Sequence, residues 1–372
     1  MTRKILAFLL AVIPLNFSLV KADFILSPLM DFSGGGWLSP AETTQLQGAN
    51  VQRGISYNGA SNELFVVDRN GDNFVRVFNG TTGASNGNLD LTGLITGAPG
   101  GTFPINMIDV GDDGVIYAAN LTTAAATNLH VYRWANSAAV PTLAFSATTG
   151  YSRTGDSFAV TGSGVNTRII ASGGGSTGVA LFDTVDGITF TQTPANIAAN
   201  IPTGGLRLAL DFIDSNTAIG KQTGNVFYTA SLNAEGNPAS TIGTAFNPST
   251  LLNPNENLLA FTLTSSIPLL ATLETNSNLV RLYNASDLSN LVLLGSSNLT
   301  TAFVANGNAV GDLTFGTLPD GSLRLYALNT NNGIQAFEIQ AIPEPSSIAL
   351  ATLGVVGIIA RRRQLANRKQ VS

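Results

Sequence analysis

Two acidic turns in the sequence carry side chains whose types and spacing suit a hard metal cation. The first turn contains Asp68, Asn70 and Asp72, and the second contains Asp109, Asp112 and Asp113. Calcium prefers several oxygen ligands from a short loop, and closely spaced Asp and Asn residues supply them. Neither turn continues into the twelve-residue loop, closed by a Glu, of the best-known calcium sites. Because Asp-Gly and Asn-Gly are most common in ordinary hairpin turns, these residues are calcium candidates only, and no metal ligand is assigned.

Other residues that could perform chemistry are few. The chain has no cysteine, which excludes disulfides, thiol catalysis and cysteine-ligated zinc. Its single histidine, His130, lies in the alternating strand pattern Asn128–Arg133, where a strand-surface or core role is expected rather than catalysis. The runs Gly-Ser-Gly at 162–164 and Gly-Gly-Gly at 173–175 lack the flanking elements of a nucleophile elbow or a phosphate loop. Both are interpreted as turns, and the sequence predicts no catalytic residue and no cofactor.

A two-strand unit recurs along the chain and must position these turns. In its first copy, an apolar run at 64–68 is followed by a polar turn and by a second strand at 74–78 that ends in an aromatic residue. An aromatic residue marks the second strand of every copy. The six markers are Phe78, Tyr132, Phe182, Tyr228, Tyr283 and Phe337, at intervals of 54, 50, 46, 55 and 54 residues. Intervals this even indicate a structural repeat.

The repeat predicts an all-β fold, a β-propeller. About four short strands in a period near 50 residues form one blade, and blades must stack radially to bury both faces of each sheet. Six blades follow from the six markers, and seven are the alternative if a degenerate blade lies in residues 185–260. The last copy leaves no room for an outermost strand. We expect the N-terminal stretch 24–26, or 29–32, to supply it, with Pro28 restricting that strand to a short or edge position.

The composition changes abruptly after the last repeat. Pro343, Glu344 and Pro345 form a rigid segment, and the apolar stretch 346–360 that follows ends at the cluster Arg361, Arg362 and Arg363. As a helix, this stretch would extend about 22 Å, less than the roughly 30 Å of a bilayer core. The arginines favour a transmembrane helix whose C-terminal end is cytoplasmic, because positive charge is retained on that side.

These three parts, in this order, resemble the PEP-CTERM sorting signal of exopolysaccharide-producing bacteria. The resemblance covers residues 342–372, with the hydrophobic helix at 346–360 and the basic tail at 361–372. It implies that an exosortase, a membrane-embedded cysteine protease, recognises the segment and cleaves near Pro343 to Pro345. It also implies a transient membrane anchor, followed by release to the cell surface or extracellular matrix of a Gram-negative bacterium.

The first 22 residues resemble a secretory signal peptide. Arg3 and Lys4 precede the apolar run Ile5–Leu15, and Val20 and Ala22 suit the cleavage site. The sequence predicts cleavage after Ala22, so that residues 23–341 form the exported body. This body keeps ten basic and 22 acidic residues, a net charge of −12, because the other eight basic residues lie in the two end segments. Nucleic acid is excluded as a partner, since it requires a basic surface.

The expected function of the body is non-enzymatic binding or a structural role at the cell surface or in the matrix. Ligands of propellers usually meet the loops at one end of the ring. An acidic rim rich in Asn and Thr would suit an extracellular polysaccharide, with calcium as an optional ion. The alternative is a calcium-dependent propeller hydrolase or lactonase. That alternative requires acidic and Asn side chains from four or more blades to converge on the central channel.

Overall fold

The computed structural model describes residues 23–96, 103–176, 178–196, 201–222, 224, 226–232, 243–246 and 252–342. Its strands form six antiparallel sheets, which are the six blades of a β-propeller. The first strand of each blade contacts the first strand of the next. The first strand of the last blade, Gly311–Thr317, contacts that of the first blade, Gln52–Asn58, so the ring is closed. These inner strands surround the central channel. The prediction of six blades is confirmed, and each of the six aromatic markers lies on the third strand of its blade.

The blades follow one another along the chain. Blade 1 comprises β3 (Gln52–Asn58), β4 (Glu63–Asp68), β5 (Phe74–Asn79) and β6 (Ser85–Asn88). Blade 2 comprises β7 (Phe103–Val110), β8 (Ile116–Leu121), β9 (Asn128–Trp134) and β10 (Thr142–Thr148). Blade 3 comprises β11 (Ser157–Thr161), β12 (Arg168–Ser172), β13 (Gly178–Thr184) and β14 (Phe190–Asn196).

The second half of the ring has the same order. Blade 4 comprises β15 (Ala209–Asp214), β16 (Thr217–Lys221), β17 (Phe227–Ser231) and β18 (Gly243–Phe246). Blade 5 comprises β19 (Glu256–Leu263), β20 (Pro268–Glu274), β21 (Leu279–Asn284) and β22 (Val292–Ser297). Blade 6 comprises β23 (Gly311–Thr317), β24 (Leu323–Asn329), β25 (Gly333–Ile342) and, from the start of the chain, β1 (Asp23–Pro28) and β2 (Trp37–Leu38).

Burial along the strands explains why this sequence forms a ring. Second strands such as β4 and β8 are almost wholly buried, because neighbouring blades cover both faces of each sheet. Outer strands such as β6 and β22 have only exposed and half-buried residues and are polar or mixed in character. The hydrophobic clusters combine residues of adjacent blades, so each blade depends on its neighbours for its core.

Glycine allows the inner strands to approach one another closely. A Cβ atom added to Gly54 on β3 would lie 2.7 Å from the backbone nitrogen of Ile108 on β7. A Cβ atom on Gly316 of β23 would lie 2.0 Å from the ring of Tyr57 on β3. Any larger side chain at these two positions would therefore push neighbouring blades apart at the channel wall.

The ring is closed by the N-terminal segment, as the sequence predicts. β1 pairs with β25 and is the outermost strand of blade 6, and Pro28 ends it. The alternative stretch 29–32 is a turn that leads into the 3₁₀ helix Phe32–Gly34. β2 then continues along β25, with Trp37 opposite Gln335 and Leu38 opposite Ile334.

The described residues contain no α-helix, and their other 3₁₀ helices are Thr44–Leu46 and Gly164–Asn166. A search of these residues for a helix that could span a membrane finds none. The predicted features of both chain ends lie outside the described residues. They are the signal peptide, the Pro343–Glu344–Pro345 segment, the apolar helix at 346–360, and Arg361, Arg362 and Arg363. His130 is buried on β9, as expected for a core histidine.

Candidate functional site

The two turns that hold the calcium candidates lie in different blades, blade 1 and blade 2. Asp68 ends β4 with a fully buried side chain, and its Oδ2 accepts bonds from Nε and an amino group of Arg76 at 2.9 and 2.8 Å. Asn70 and Asp72 are exposed in the turn that follows. Asp68 therefore belongs to an internal ion pair, in which Arg76 also stacks on Phe74 at 3.8 Å from the ring centroid.

The three aspartates of the second candidate turn lie in two different environments. Asp109 is on the inner strand β7 and faces the channel, whereas Asp112 and Asp113 are exposed in the turn after it. Asp112 Oδ2 accepts a bond from the backbone nitrogen of Gly162 at 3.1 Å, and Asp113 Oδ2 from that of Gly164 at 2.9 Å. Both turn residues thus hold the 162–164 hairpin loop of the next blade. Across the described residues, no three Asp, Glu or His side chains are placed to share a metal ion.

The Asp68–Arg76 pair gives a first prediction. Arg76→Met should lower the free energy of unfolding by about 3–5 kcal/mol, because it leaves a buried carboxylate without its cation. Asp72→Asn, in the same turn but exposed, should change stability by less than about 0.5 kcal/mol. Urea unfolding of both variants measures this, and an Arg76→Met variant as stable as Asp72→Asn would contradict it.

Two cavities occupy opposite ends of the central channel. The cavity where the inner strands begin has a volume of about 480 Å³, and the cavity where they end has about 470 Å³. Their charges are opposite. The first is lined by four arginines, which we call the arginine mouth: Arg53, Arg69, Arg153 and Arg207. The second is lined by aspartates, three of which are half-buried on inner strands, and we call these three the aspartate latch: Asp109, Asp211 and Asp312.

The arginine mouth is built by loops and strand ends of different blades. Arg53 is on the inner strand β3, and Arg69 is in the β4–β5 turn. Arg153 precedes β11, and Arg207 precedes β15. The Arg69 guanidinium lies 3.9 Å from the centroid of the Phe103 ring and donates to Asn106 Oδ1 at 2.9 Å. These contacts fix its position at the cavity wall.

Asp156 is the one carboxylate among the described residues that line this mouth. It accepts two bonds from Arg153, at 2.8 and 2.6 Å, and one from the backbone nitrogen of Gly174 at 3.0 Å. The Nε atom of Arg207 lies 3.7 Å from Asp156 Oδ2. One negative charge thus faces four positive ones, so the mouth has an excess of positive charge within an acidic body.

Two arginines of the mouth, Arg53 and Arg69, are held in an environment that disfavours their charge. Burial lowers the pKa of Arg53 to about 10, against the favourable effect of Asp156. Burial lowers the pKa of Arg69 to about 9, and repulsion from Arg53 and Arg153 adds to this shift. The Nε atoms of Arg69 and Arg207 are buried without a hydrogen-bond partner in the described part of the chain. An anionic ligand would supply negative charge to balance the arginines and hydrogen-bond acceptors for these two Nε atoms.

The aspartate latch has an approximate threefold pattern over alternate blades. Each Oδ2 accepts a backbone N–H from the inner strand of the next blade: Asp109 from Val160 at 2.7 Å, Asp211 from Phe261 at 2.7 Å, and Asp312 from Ile55 at 3.3 Å. Each Oδ1 accepts the N–H of the following residue, at 2.7 to 2.9 Å. Ser56 also donates to Asp109 Oδ1 at 2.9 Å. The latch thus joins blade 2 to 3, blade 4 to 5, and blade 6 to 1.

Sequence reasoning named Asp109 and Asp112 among the residues that line this cavity, but as calcium candidates. A signal for the latch is present, since Asp109, Asp211 and Asp312 are spaced by 102 and 101 residues, which is the length of two blades. The arginine mouth has no comparable spacing. Carboxylates of three blades meet at one end, and Asp156 stands among arginines at the other.

Comparisons with known proteins agree with the fold and identify the C-terminal segment. Residues 341–364 match the family model of the PEP-CTERM protein-sorting motif. No curated protein matches the chain. Among solved structures, a DUF4623 family protein from Bacteroides eggerthii has a TM-score of 0.56 at 15% identity, over 81% of this chain and 74% of that one.

Two further structures are similar at lower scores. The allergen Mala s 1 of Malassezia sympodialis has a TM-score of 0.49 at 10% identity, over 79% of this chain and 95% of that one. A gluconolactonase from Xanthomonas campestris has a TM-score of 0.48 at 10% identity, over 87% and 96%. At 15% identity the DUF4623 family structure supports the fold alone. The chain therefore combines a six-bladed β-propeller body with a PEP-CTERM sorting motif, which marks an exported protein whose C-terminal anchor is processed by exosortase.

Proposed function

We propose that this protein is an exported, non-enzymatic binding module whose arginine mouth holds a carboxylate-bearing saccharide at the cell surface or in the extracellular matrix. The observation that carries this proposal is the position of the basic residues. The body has ten Lys and Arg residues, and four of them line one cavity of about 480 Å³. Charge concentrated in this way within an acidic protein favours an anionic ligand.

The geometry favours a carboxylated sugar over a neutral one. A guanidinium presents parallel N–H donors that match the two oxygens of a carboxylate, as Arg153 and Asp156 already illustrate within the mouth. The amide of Asn308 also lines the cavity and can bond to sugar hydroxyls. The volume falls in the range of small-ligand sites, so one or two sugar units of a longer chain would enter it.

The end segments give the route by which the body would reach such a ligand. In this proposal the signal peptide is removed after Ala22, and the apolar helix at 346–360 holds the body at the membrane. Arg361 to Arg363 remain on the cytoplasmic side. Exosortase then cleaves near Pro343 to Pro345, and residues 23–341 are left at the cell surface or in the matrix of a Gram-negative bacterium.

Calorimetric titration of the purified exported protein tests the function. We expect a tetramer of galacturonate to bind, and its affinity to fall about tenfold or more when salt is raised from about 0.05 to 0.5 M, because added salt screens the arginine charges. The neutral tetramer of glucose is the matched control and should not bind. Equal binding of both saccharides, or binding of neither, would overturn the proposal. Hydrolysis of an added lactone in the presence of calcium would instead favour the hydrolase alternative.

A further inference from the structure

The aspartate latch joins blades in a specific grouping. Its three Oδ2 bonds cross the 2/3, 4/5 and 6/1 interfaces, because each acceptor is on an even blade and each donor on the following odd blade. The bond from Ser56 to Asp109 Oδ1 is the one that lies inside a pair, between blades 1 and 2. The ring is thereby divided into three pairs of blades, 1 with 2, 3 with 4 and 5 with 6. At the channel end where the inner strands finish, carboxylate bonds hold the contacts between pairs.

The charges around the latch share one sign. The titratable residues that line this cavity are Asp109, Asp112, Asp211, Asp214 and Asp312, and no Lys, Arg or His lines it within the described residues. When the three latch carboxyls are ionised, no lining cation compensates them. Their repulsion then acts across a cavity of about 470 Å³ and opposes the closed arrangement.

We propose that the aspartate latch is a pH-responsive device that holds the three blade pairs together in mildly acidic solution and loosens the contacts between pairs above neutral pH. Loosening acts at the 2/3, 4/5 and 6/1 interfaces, at the end of the channel opposite the arginine mouth. No Oδ2 atom of the latch accepts a bond between the two blades of one pair, and these two blades stay packed against each other.

The pKa shifts agree with this direction. Burial raises the pKa of Asp109 to about 6 and that of Asp211 to about 7, and backbone hydrogen bonds only partly offset it. Burial, together with repulsion from Asp109, raises the pKa of Asp312 well above its ordinary value. A carboxyl whose pKa is raised by folding binds more protons in the folded state. Its contribution is therefore most favourable near pH 4 or below and is lost as the pH rises through about 6 to 7.

Hydrogen exchange of the purified protein tests the device. The amides of Ile55, Val160 and Phe261 donate to the latch. After correction for the chemical exchange rate, their protection should fall about tenfold between about pH 5 and pH 8. Amides of the second strands β8 and β12 are the internal reference and should keep their protection. Equal protection of the latch amides at both pH values would overturn the proposal.

A variant links the effect to one carboxyl. Asp211→Asn removes the titrating group, so the pH dependence of Phe261 protection should disappear, while that of Ile55 remains. Asp287→Asn, which changes an exposed turn residue, is the matched control and should retain the pH dependence at all three amides. If Asp211→Asn does not fold, the carboxyl carbon chemical shifts of the unaltered protein, measured as a function of pH, test the proposal instead. Titration of all three latch carboxyls near the ordinary Asp pKa, about 4, would contradict the proposal.

Discussion

Removal of residues 23–32 is expected to lower the melting temperature of the propeller sharply and to make it aggregate. The deletion takes away β1, which covers the outer edge of β25, and Phe32, which is fully buried. The ring of Phe32 lies 5.8 Å from that of Tyr326 in blade 6 and packs against Gly83 in blade 1. The segment thus covers a strand edge and fills the joint where the ring closes. An uncovered edge strand invites pairing with another chain.

A point variant separates the two effects. Phe32→Ala leaves β1 in place, and it should lower the free energy of unfolding by about 3–5 kcal/mol, since a large aromatic side chain is lost from a core. The corresponding fall in melting temperature is about 5–10 °C. Met30→Ala, two residues away and 63% exposed, is the control and should change stability by less than about 0.5 kcal/mol. Thermal melts and sedimentation measure both properties, and a deletion variant that melts like the intact protein would disprove closure by this segment.

The second large effect concerns the arginine mouth and rests on the proposed function. Arg69→Gln combined with Arg207→Gln should weaken binding of the galacturonate tetramer about 100-fold or more, because each lost charge-assisted bond contributes about 1.5–3 kcal/mol. The free energy of unfolding should not fall in parallel with the affinity. Since burial lowers the pKa of Arg69 to about 9, its charge is unfavourable in the folded protein, and a neutral replacement removes that cost.

Measured together, affinity and stability distinguish a binding site from a structural cluster. We expect the free energy of unfolding of the double variant to lie within about 1 kcal/mol of that of the unaltered protein, or above it. Its affinity for the galacturonate tetramer should nevertheless fall about 100-fold or more. Arg168→Gln is the control, since it removes a positive charge that does not line the cavity and should leave the affinity within about twofold. A parallel loss of stability and affinity in the double variant would assign the arginines a structural role instead.

The sequence predicted the architecture well because the ring is built from a local pattern. Each blade repeats an apolar strand, a turn and an aromatic strand, so the markers from Phe78 to Phe337 counted the blades correctly. The closing strand was also predictable, since the sixth repeat has no room for its own outer strand. The sorting motif was recognisable because its three parts are contiguous.

The channel could not be predicted in the same way. Arg53 and Arg207 come from distant parts of the sequence, and only closure of the ring brings them to one cavity. Asp109 was grouped with Asp112 and Asp113 because they are neighbours in the chain. The end of the strand separates them, and Asp109 faces the channel while the other two hold a loop. Convergence of side chains depends on the radial arrangement, which local patterns do not contain.

Closure of blade 6 by β1 and β2 also affects the order in which the protein can fold. Trp37 on β2 donates a hydrogen bond from its indole nitrogen to the carbonyl of Asn332, which is 295 residues further along the chain. Contacts between such distant residues raise the contact order and slow folding, because a very long loop must close before they form. Blades 1 to 5 can assemble as the chain emerges, but blade 6 must wait for the last residues of the body. Completion of the ring thus requires both ends of the body, and a chain cut short before β25 cannot close it.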